Sequence, residues 1–427
     1  MRHIYQFLVF ILFGTIVLNS CVEKDDSGSY SSEDSVLIFV DDVMNEMYLW
    51  NEEIPELDIF QYNSPSDLLE AMKYNPPDHW SFIDKKETIE AFFDEGEYFG
   101  FGFMLKFDTE GFLRVAFVYE NSEAYDLGIR RGYIIDKLNG IPASLFNDYD
   151  SFFDYNPATF TFDIYDHNYL LHTITLEKSD ITLNGVLYSN IYNVSGNQTG
   201  YLVYDSFLGY SQEELEEVIA YFKASNISEL IVDLRYNGGG YISLAEEMCE
   251  IIMPADAVGK IFYSSVHNDN IGKVYNTTTY FSEIELNLDL DRVFFITTEN
   301  SASASELVIN SLEPHMEVIT IGAPTHGKPV GMYGFDFQDW LLFPVTVQML
   351  NADGYGDYFD GLIPDCIAED DASKDWGDET EASLSQAFYY ISNGTWNDAL
   401  ALSLKSSREE SFPGKYWGRK NLLLLSK

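Results

Sequence analysis

The chain has 427 residues, with 70 acidic side chains against 24 basic ones, a formal charge of −46 at neutral pH. That length allows two or three domains with substantial cores, and that charge repels nucleic acid and acidic polymers. The three cysteines, Cys21, Cys249 and Cys366, are too few for a disulfide scaffold. Cys249 lies in the apolar pattern Leu244, Met248, Ile251, Ile252 and reads as a small core residue. The sequence leaves a Cys249–Cys366 bridge open.

At the N-terminus, Arg2 and His3 precede an apolar run from Phe7 to Leu18. The run is too short to span a bilayer comfortably. It ends in Leu18-Asn19-Ser20-Cys21, followed at once by Glu23, Lys24, Asp25 and Asp26. This segment resembles a bacterial lipoprotein signal, whose cleavage leaves Cys21 as the acylated N-terminus. The alternative is an ordinary signal peptide, or an uncleaved anchor, with a chance cysteine. The acidic stretch is similar to the surface-export signal of Bacteroidetes lipoproteins. These resemblances imply a lipid-anchored protein of the bacterial cell envelope, on the periplasmic side of the outer membrane or at the cell surface. Residues 1–20 are then signal peptide, and 21–34 an acidic, Ser-rich tether.

Residues 35–95 read as helical. Val36, Phe39, Val40, Val43 and Met47 recur at helical spacing. A second helix opens near Ser64 or Ser66, places Leu68, Leu69 and Met72 on one face, and stops before Pro76-Pro77. The segment His79-Trp80-Ser81-Phe82-Ile83-Asp84 follows.

Residues 96–178 turn to strand patterns. The run Ser122, Ala124, Gly128, Ile129, Gly132, Ile134, Ile135, Asn139, Gly140 resembles a PDZ domain, with Glu123 and Tyr133 in place of that family's usual Pro and Asp. The resemblance implies a groove that takes a peptide as an added strand and captures its terminal carboxylate on backbone N–H groups. Phe99-Gly100-Phe101-Gly102 is the candidate capture loop. A module that only braces its neighbours is the other reading.

Residues 179–395 alternate strands and helices. Ser211 is expected to open a helix, with Glu214 completing a capping box and Leu215, Val218, Ile219 and Phe222 on the apolar face. A buried strand then runs through Asp233-Leu234-Arg235 into Gly238-Gly239-Gly240. Such a loop can offer bare N–H groups to an oxyanion. Its spacing fits neither dinucleotide nor P-loop fingerprints. A second buried strand, Val293 to Ile296, leads into Ser301-Ala302-Ser303-Ala304-Ser305-Glu306 and a helix. A hydroxyl there sits beside free amides and a positive helix end. A third strand, Val318 to Ile321, leads to His326-Gly327-Lys328. Residue type alone favours the plainer reading, a small-residue helix start with a surface lysine.

The serine run, helix, strand and Thr-x-Gly-Lys together resemble the tail-specific, C-terminal processing proteases of the S41 serine peptidase family. Asp360-Gly361-Leu362-Ile363-Pro364-Asp365 is similar to that family's closing motif. The resemblance implies a multi-domain α+β protein: a helical N-terminal domain, a PDZ domain and an α/β, ClpP/crotonase-like protease core. It implies Ser303 as nucleophile, Lys328 as general base, and an oxyanion hole from Gly238 or Gly239 with the Ala304 amide. It implies polypeptide substrates, recognised through free C-termini, and needs no metal or other cofactor. Some members orient the lysine with a Gln four residues on. Here that position is Met332, so Glu306 is the candidate third residue. His326 reads as a loop-surface histidine. Residues 396–427 form a C-terminal tail, richer in Lys and Arg from Ser406. A non-catalytic peptide- or ligand-binding protein on the same fold is the alternative.

Overall fold

The computed structural model describes residues 32–93, 96–145 and 158–397. The expected signal peptide, Cys21, nearly all of the tether, and the tail beyond 397 lie outside them.

The central element is a six-stranded sheet in the order Val186–Val194, Asn197–Tyr204, Glu229–Asp233, Arg292–Thr297, Glu317–Gly322, Cys366–Ile367. The first pair is antiparallel and the rest are parallel. Alternate residues of its strands enter two different cores. Leu202, Leu230, Val232, Val293 and Phe295 pack under the helices Gln212–Ala224, Ile242–Ile252 and Ala304–Leu312. Tyr201, Val203, Ile231, Phe294 and Ile296 pack under the helix Ala382–Asn393. Burial on both faces is why these strands read as unbroken apolar runs. Cys249 and Cys366 belong to the opposite cores and are free thiols, which closes the question of a bridge between them.

One expected start signal fails. The Gln212–Ala224 helix has no side-chain cap from Ser211. Ser211 is buried, and its hydroxyl donates to the Ser206 and Leu208 carbonyls. Glu214 reaches out of the helix to accept from the Val186 amide at 2.8 Å. The turn before the helix takes the Ser211 hydroxyl, and the neighbouring strand takes Glu214, so neither serves the capping box.

The N-terminal region begins as expected with the helix Ser32–Met47 and a second helix, Pro65–Met72, capped by Ser64. It is not helical to its end and does not form a separate core. Phe82–Lys85 is a strand paired with Trp340–Phe343. Val40, Met44 and Leu68 share one cluster with Val330, Leu342 and Val345. A long-range strand pairing of this kind leaves no local signal.

The strands Phe103–Phe107, Leu113–Val118, Ile134–Leu138, Thr159–Tyr165 and Leu171–Glu177 form an antiparallel sheet around Leu105, Val115, Ile135, Phe160 and Phe162. Gly128 and Gly132 both stand at positive φ, which accounts for glycine there. Beside that sheet, Glu97–Gly100 pairs with Ser179–Thr182 in a separate two-stranded sheet. This pairing corrects the picture of Phe99–Gly102 as a free loop. Phe99 and Gly100 lie in the paired strand, Phe101 is in the module core, and the Gly102 carbonyl accepts from Tyr119. Of the three side chains and glycines flanking that core residue, Phe99 alone presents a large exposed apolar surface.

A buried charge network joins this module to the central sheet. Arg235 bonds Asp233 at 2.9 Å, Asp370 at 2.9 Å and Glu381 at 3.0 Å. Arg131 and Lys106, both from the module, meet the same Asp370. Burial alone would raise the Asp370 carboxyl, but Lys106, Arg235 and Arg131 hold it well below the usual carboxylate range.

Candidate active site

The glycine loop and the serine run leave adjacent parallel strands at the same end. Asp233, the last residue of its strand, lies opposite Ile296, one residue before the end of the next. The lysine loop leaves the next strand, where Thr297 pairs with Gly322. Three loops therefore converge beyond the carboxyl ends of a parallel sheet, the usual location of sites in such folds.

The three serines of the run have different fates. The Ser301 hydroxyl donates to Leu234 O at 2.8 Å and accepts from Thr298 N at 3.0 Å. The Ser305 hydroxyl donates to Asn237 O at 2.9 Å. Both residues are fully buried. Ser303 is half-buried, immediately precedes the Ala304–Leu312 helix, and holds φ 56° and ψ −113°. A non-glycine residue in that region is strained. The strain is held by the bonds of its neighbours.

Asn237 supplies much of that hold. Its carbonyl accepts from Ala302 N and from Ser305 Oγ, and its side chain donates to Tyr204 O. Its Oδ1 also accepts from Gly239 N at 2.9 Å. This revises the expected oxyanion pair. The Gly239 amide is already committed, whereas Gly238 and Ala304 have no hydrogen-bond acceptor for their N–H among the described residues. Gly239 instead supplies closeness. A Cβ added there would lie 2.8 Å from Ser303 Cβ and 3.0 Å from Ala304 N, at φ +100°.

Glu306 is fully buried and binds both loops. Its Oε2 accepts from Ser303 N at 2.8 Å and Lys328 N at 2.9 Å. Its Oε1 accepts from Thr325 Oγ1 and Gly327 N, each at 2.6 Å. Among the described residues it makes no hydrogen bond to the Lys328 amine. Its contact with the lysine is thus through the backbone and through charge. Burial raises the Glu306 carboxyl, and its four donors oppose that rise.

Lys328 is half-buried as a residue, but its amine is desolvated. Burial pushes the amine down to about 8, against the opposing pull of Glu306 and Asp78. At pH 7 about one amine in ten is then neutral, far more than for free lysine near 10.4. Met332 follows in a strand, packed against the N-terminal cluster. His326 is exposed, yet its Nε2 accepts from Trp80 Nε1 at 3.1 Å. Reading the sequence missed this tie, and also the roles of Asn237, Thr325 and Asp78. Only the Asp-Leu-Arg-x-Asn pattern held a signal for one of them.

Fold and site together describe a mixed α/β core, with a serine at the N-terminus of a helix, a glycine loop and a desolvated lysine, under a helical N-terminal region. The chain belongs to peptidase family S41. The family's model, Peptidase family S41, matches residues 198–368, and Peptidase S41 N-terminal domain matches residues 36–82. Among curated proteins it is 24% identical over 153 residues to "Carboxy-terminal processing protease CtpB" of Bacillus subtilis, covering 36% of this chain and 30% of that one. It is 22% identical over 193 residues to a "Probable CtpA-like serine protease" of Staphylococcus haemolyticus, covering 45% and 36% respectively. These matches span about a third of the relatives' own length. Among solved structures, a putative S41 protease from Bacteroides fragilis superposes with TM-score 0.68 at 23% identity, over 87% of this chain and all of that one. A photosystem II D1 C-terminal processing protease gives TM-score 0.50 at 16% identity, over 80% of this chain and 94% of that one. At these identities the structural likeness bears on fold.

Proposed function

We propose that the protein is a serine endopeptidase of the C-terminal processing kind, working through a Ser303–Lys328 dyad. The observation that carries this reading is selective. Of three clustered serines, Ser301 and Ser305 donate their hydroxyl protons to backbone carbonyls, whereas Ser303 Oγ serves the helix capping box as an acceptor and keeps its proton free among the described residues, at a strained helix N-terminus in a site shared with a lysine whose proton affinity is lowered by burial.

In the reaction, neutral Lys328 Nζ takes the Ser303 Oγ proton as Oγ attacks the peptide carbonyl carbon. The tetrahedral oxyanion accepts hydrogen bonds from the Gly238 and Ala304 amides, aided by the helix end. Lys328 returns the proton to the leaving amine. Water then cleaves the acyl-enzyme, with Lys328 again as base. Glu306 holds the nucleophile and base loops in one geometry. The 96–178 module, read as a PDZ domain, presents substrate C-termini. Acylation at Cys21 holds the enzyme on the cell envelope.

Cleavage of unfolded casein and of a short peptide tests the chemistry. Ser303→Ala should abolish both and leave the thermal melt nearly unchanged. An active Ser303→Ala enzyme refutes the dyad, and casein left intact by the wild type favours a binding protein. Cys21→Ser should lose acylation and membrane fractionation. Unaltered processing and fractionation would refute the anchor.

A further inference from the structure

Lys328 is bracketed by a segment that the mechanism above does not use. Asp78 to Ser81 ends the N-terminal region just before its strand. Ahead of the lysine, Trp80 donates to His326. Trp80 also stacks on Phe359 at 6.4 Å, and the Phe359 carbonyl lies 2.3 Å from where a Gly327 Cβ would stand. Behind the lysine, Ser81 Oγ accepts from Val345 N at 2.8 Å, and Val345 pairs with Met332.

At the centre of this bracket, Asp78 is completely buried. Its Oδ2 accepts from Tyr48 Oη at 2.7 Å and Ser81 Oγ at 2.6 Å. Its Oδ1 accepts from Trp80 N at 2.9 Å and Ser81 N at 3.0 Å. All four donors are neutral, and no Lys, Arg or His pairs with Asp78 among the described residues. A buried carboxylate with no paired cation is costly, and the charge of this one acts on the desolvated Lys328 amine.

We propose that Asp78 is a positioning residue for the base, so that the helical N-terminal region supplies part of the catalytic centre. The inference rests on the dyad reading. Its physical content is a division of labour. Burial lowers the proton affinity of the Lys328 amine, and fixed carboxylates from two separate elements limit the fall. The titratable groups around that amine are Glu306 from the serine helix, Asp78 from the N-terminal segment and His326 from its own loop. His79 faces His326, and Tyr358 faces Glu306. Too little negative charge would leave a neutral but feeble base, and too much an idle ammonium.

The test is kcat/KM against pH on a short peptide, with unfolding followed in parallel. Asp78→Asn keeps the shape and removes the charge, so the acid midpoint should fall by about one pH unit and the plateau several-fold. Tyr48→Phe keeps the charge and removes a hydroxyl dipole that opposes its field, so the midpoint should rise. Opposite shifts are not produced by a merely structural role. A folded Asp78→Asn enzyme with the wild-type midpoint overturns the proposal. So does an unshifted Tyr48→Phe, which decides the matter if Asp78→Asn does not fold. The amine can also be titrated without turnover, by NMR of 13C-labelled lysine in Ser303→Ala, with and without Asp78→Asn. A shift there in a Ser303→Ala protein that still cleaves peptide would refute the dyad while retaining the Asp78–Lys328 coupling. No shift would overturn the coupling itself.

Discussion

Replacing Glu306 by glutamine removes one charge and turns one acceptor oxygen into an NH2 group. The carboxylate now serves Thr325 Oγ1 and Gly327 N on one oxygen, and Ser303 N and Lys328 N on the other. A carboxamide can serve only one of these pairs. If its oxygen stays with Thr325 and Gly327, the Ser303 and Lys328 amides face a donor. Each buried donor left without an acceptor costs about 1–3 kcal/mol, so the pair costs roughly 2–6 kcal/mol. That is a large share of a typical folding stability of about 5–15 kcal/mol. Electrostatics adds a second signature. Burial pushes the Lys328 amine down to about 8, and Glu306 opposes that push. Without the charge the amine falls further, and the acid limb of kcat/KM moves to lower pH. The plateau should drop about 100-fold, the scale expected when reacting groups lose their alignment. Denaturant unfolding and a pH profile on a short peptide measure both effects. A Glu306→Gln enzyme with wild-type stability and midpoint would refute the clamp.

Lys328→Arg should be inactive across the accessible pH range, because a guanidinium does not deprotonate there. Wild-type kcat/KM on the same peptide should rise through a midpoint near 8. A flat profile would remove Lys328 as the base. Gly239→Ala puts a methyl group 2.8 Å from Ala302 O and Ser303 Cβ at φ +100°. It should cost about 100-fold or more in kcat, the scale of a damaged oxyanion site, with a smaller change in KM. Near-normal kcat would show that the loop yields. Asp370→Asn leaves Lys106, Arg131 and Arg235 short of a common partner. It should destabilise the fold by about 3–5 kcal/mol, read from denaturant unfolding. The wild-type Asp370 carboxyl is held low, so its stabilisation is complete above the usual carboxylate range. That stabilisation is lost only as pH falls through the lowered value. The variant should therefore show a flatter acid limb of stability, and an equally steep limb would refute the network's role.

What the sequence determined by itself was local. Short apolar runs such as Val293 to Ile296 and Val318 to Ile321 marked the strands of the central sheet, because both faces of a parallel sheet are buried. Periodicity marked the first two helices and left the start of the second between Ser64 and Ser66, where the structure uses Ser64. The small residues before Glu306, and the glycines after Asp233, marked the two loops where backbone must approach backbone. Tertiary structure alone decided which groups within those loops were left over for chemistry. The Gly239 amide was spent on Asn237, and the Ser301 and Ser305 hydroxyls on carbonyls. Ser211 and Glu214 fit a capping box in sequence, but the preceding turn claimed the serine and a neighbouring strand the glutamate. The Phe82–Lys85 strand and the Trp80–His326 bond join residues about 250 positions apart. Hydrogen-bond capacity is a local property of a residue, but its allocation depends on every group that folding brings within reach. The proton affinity of Lys328 follows the same rule, since it is set by burial and by two carboxylates, one of them 250 residues upstream.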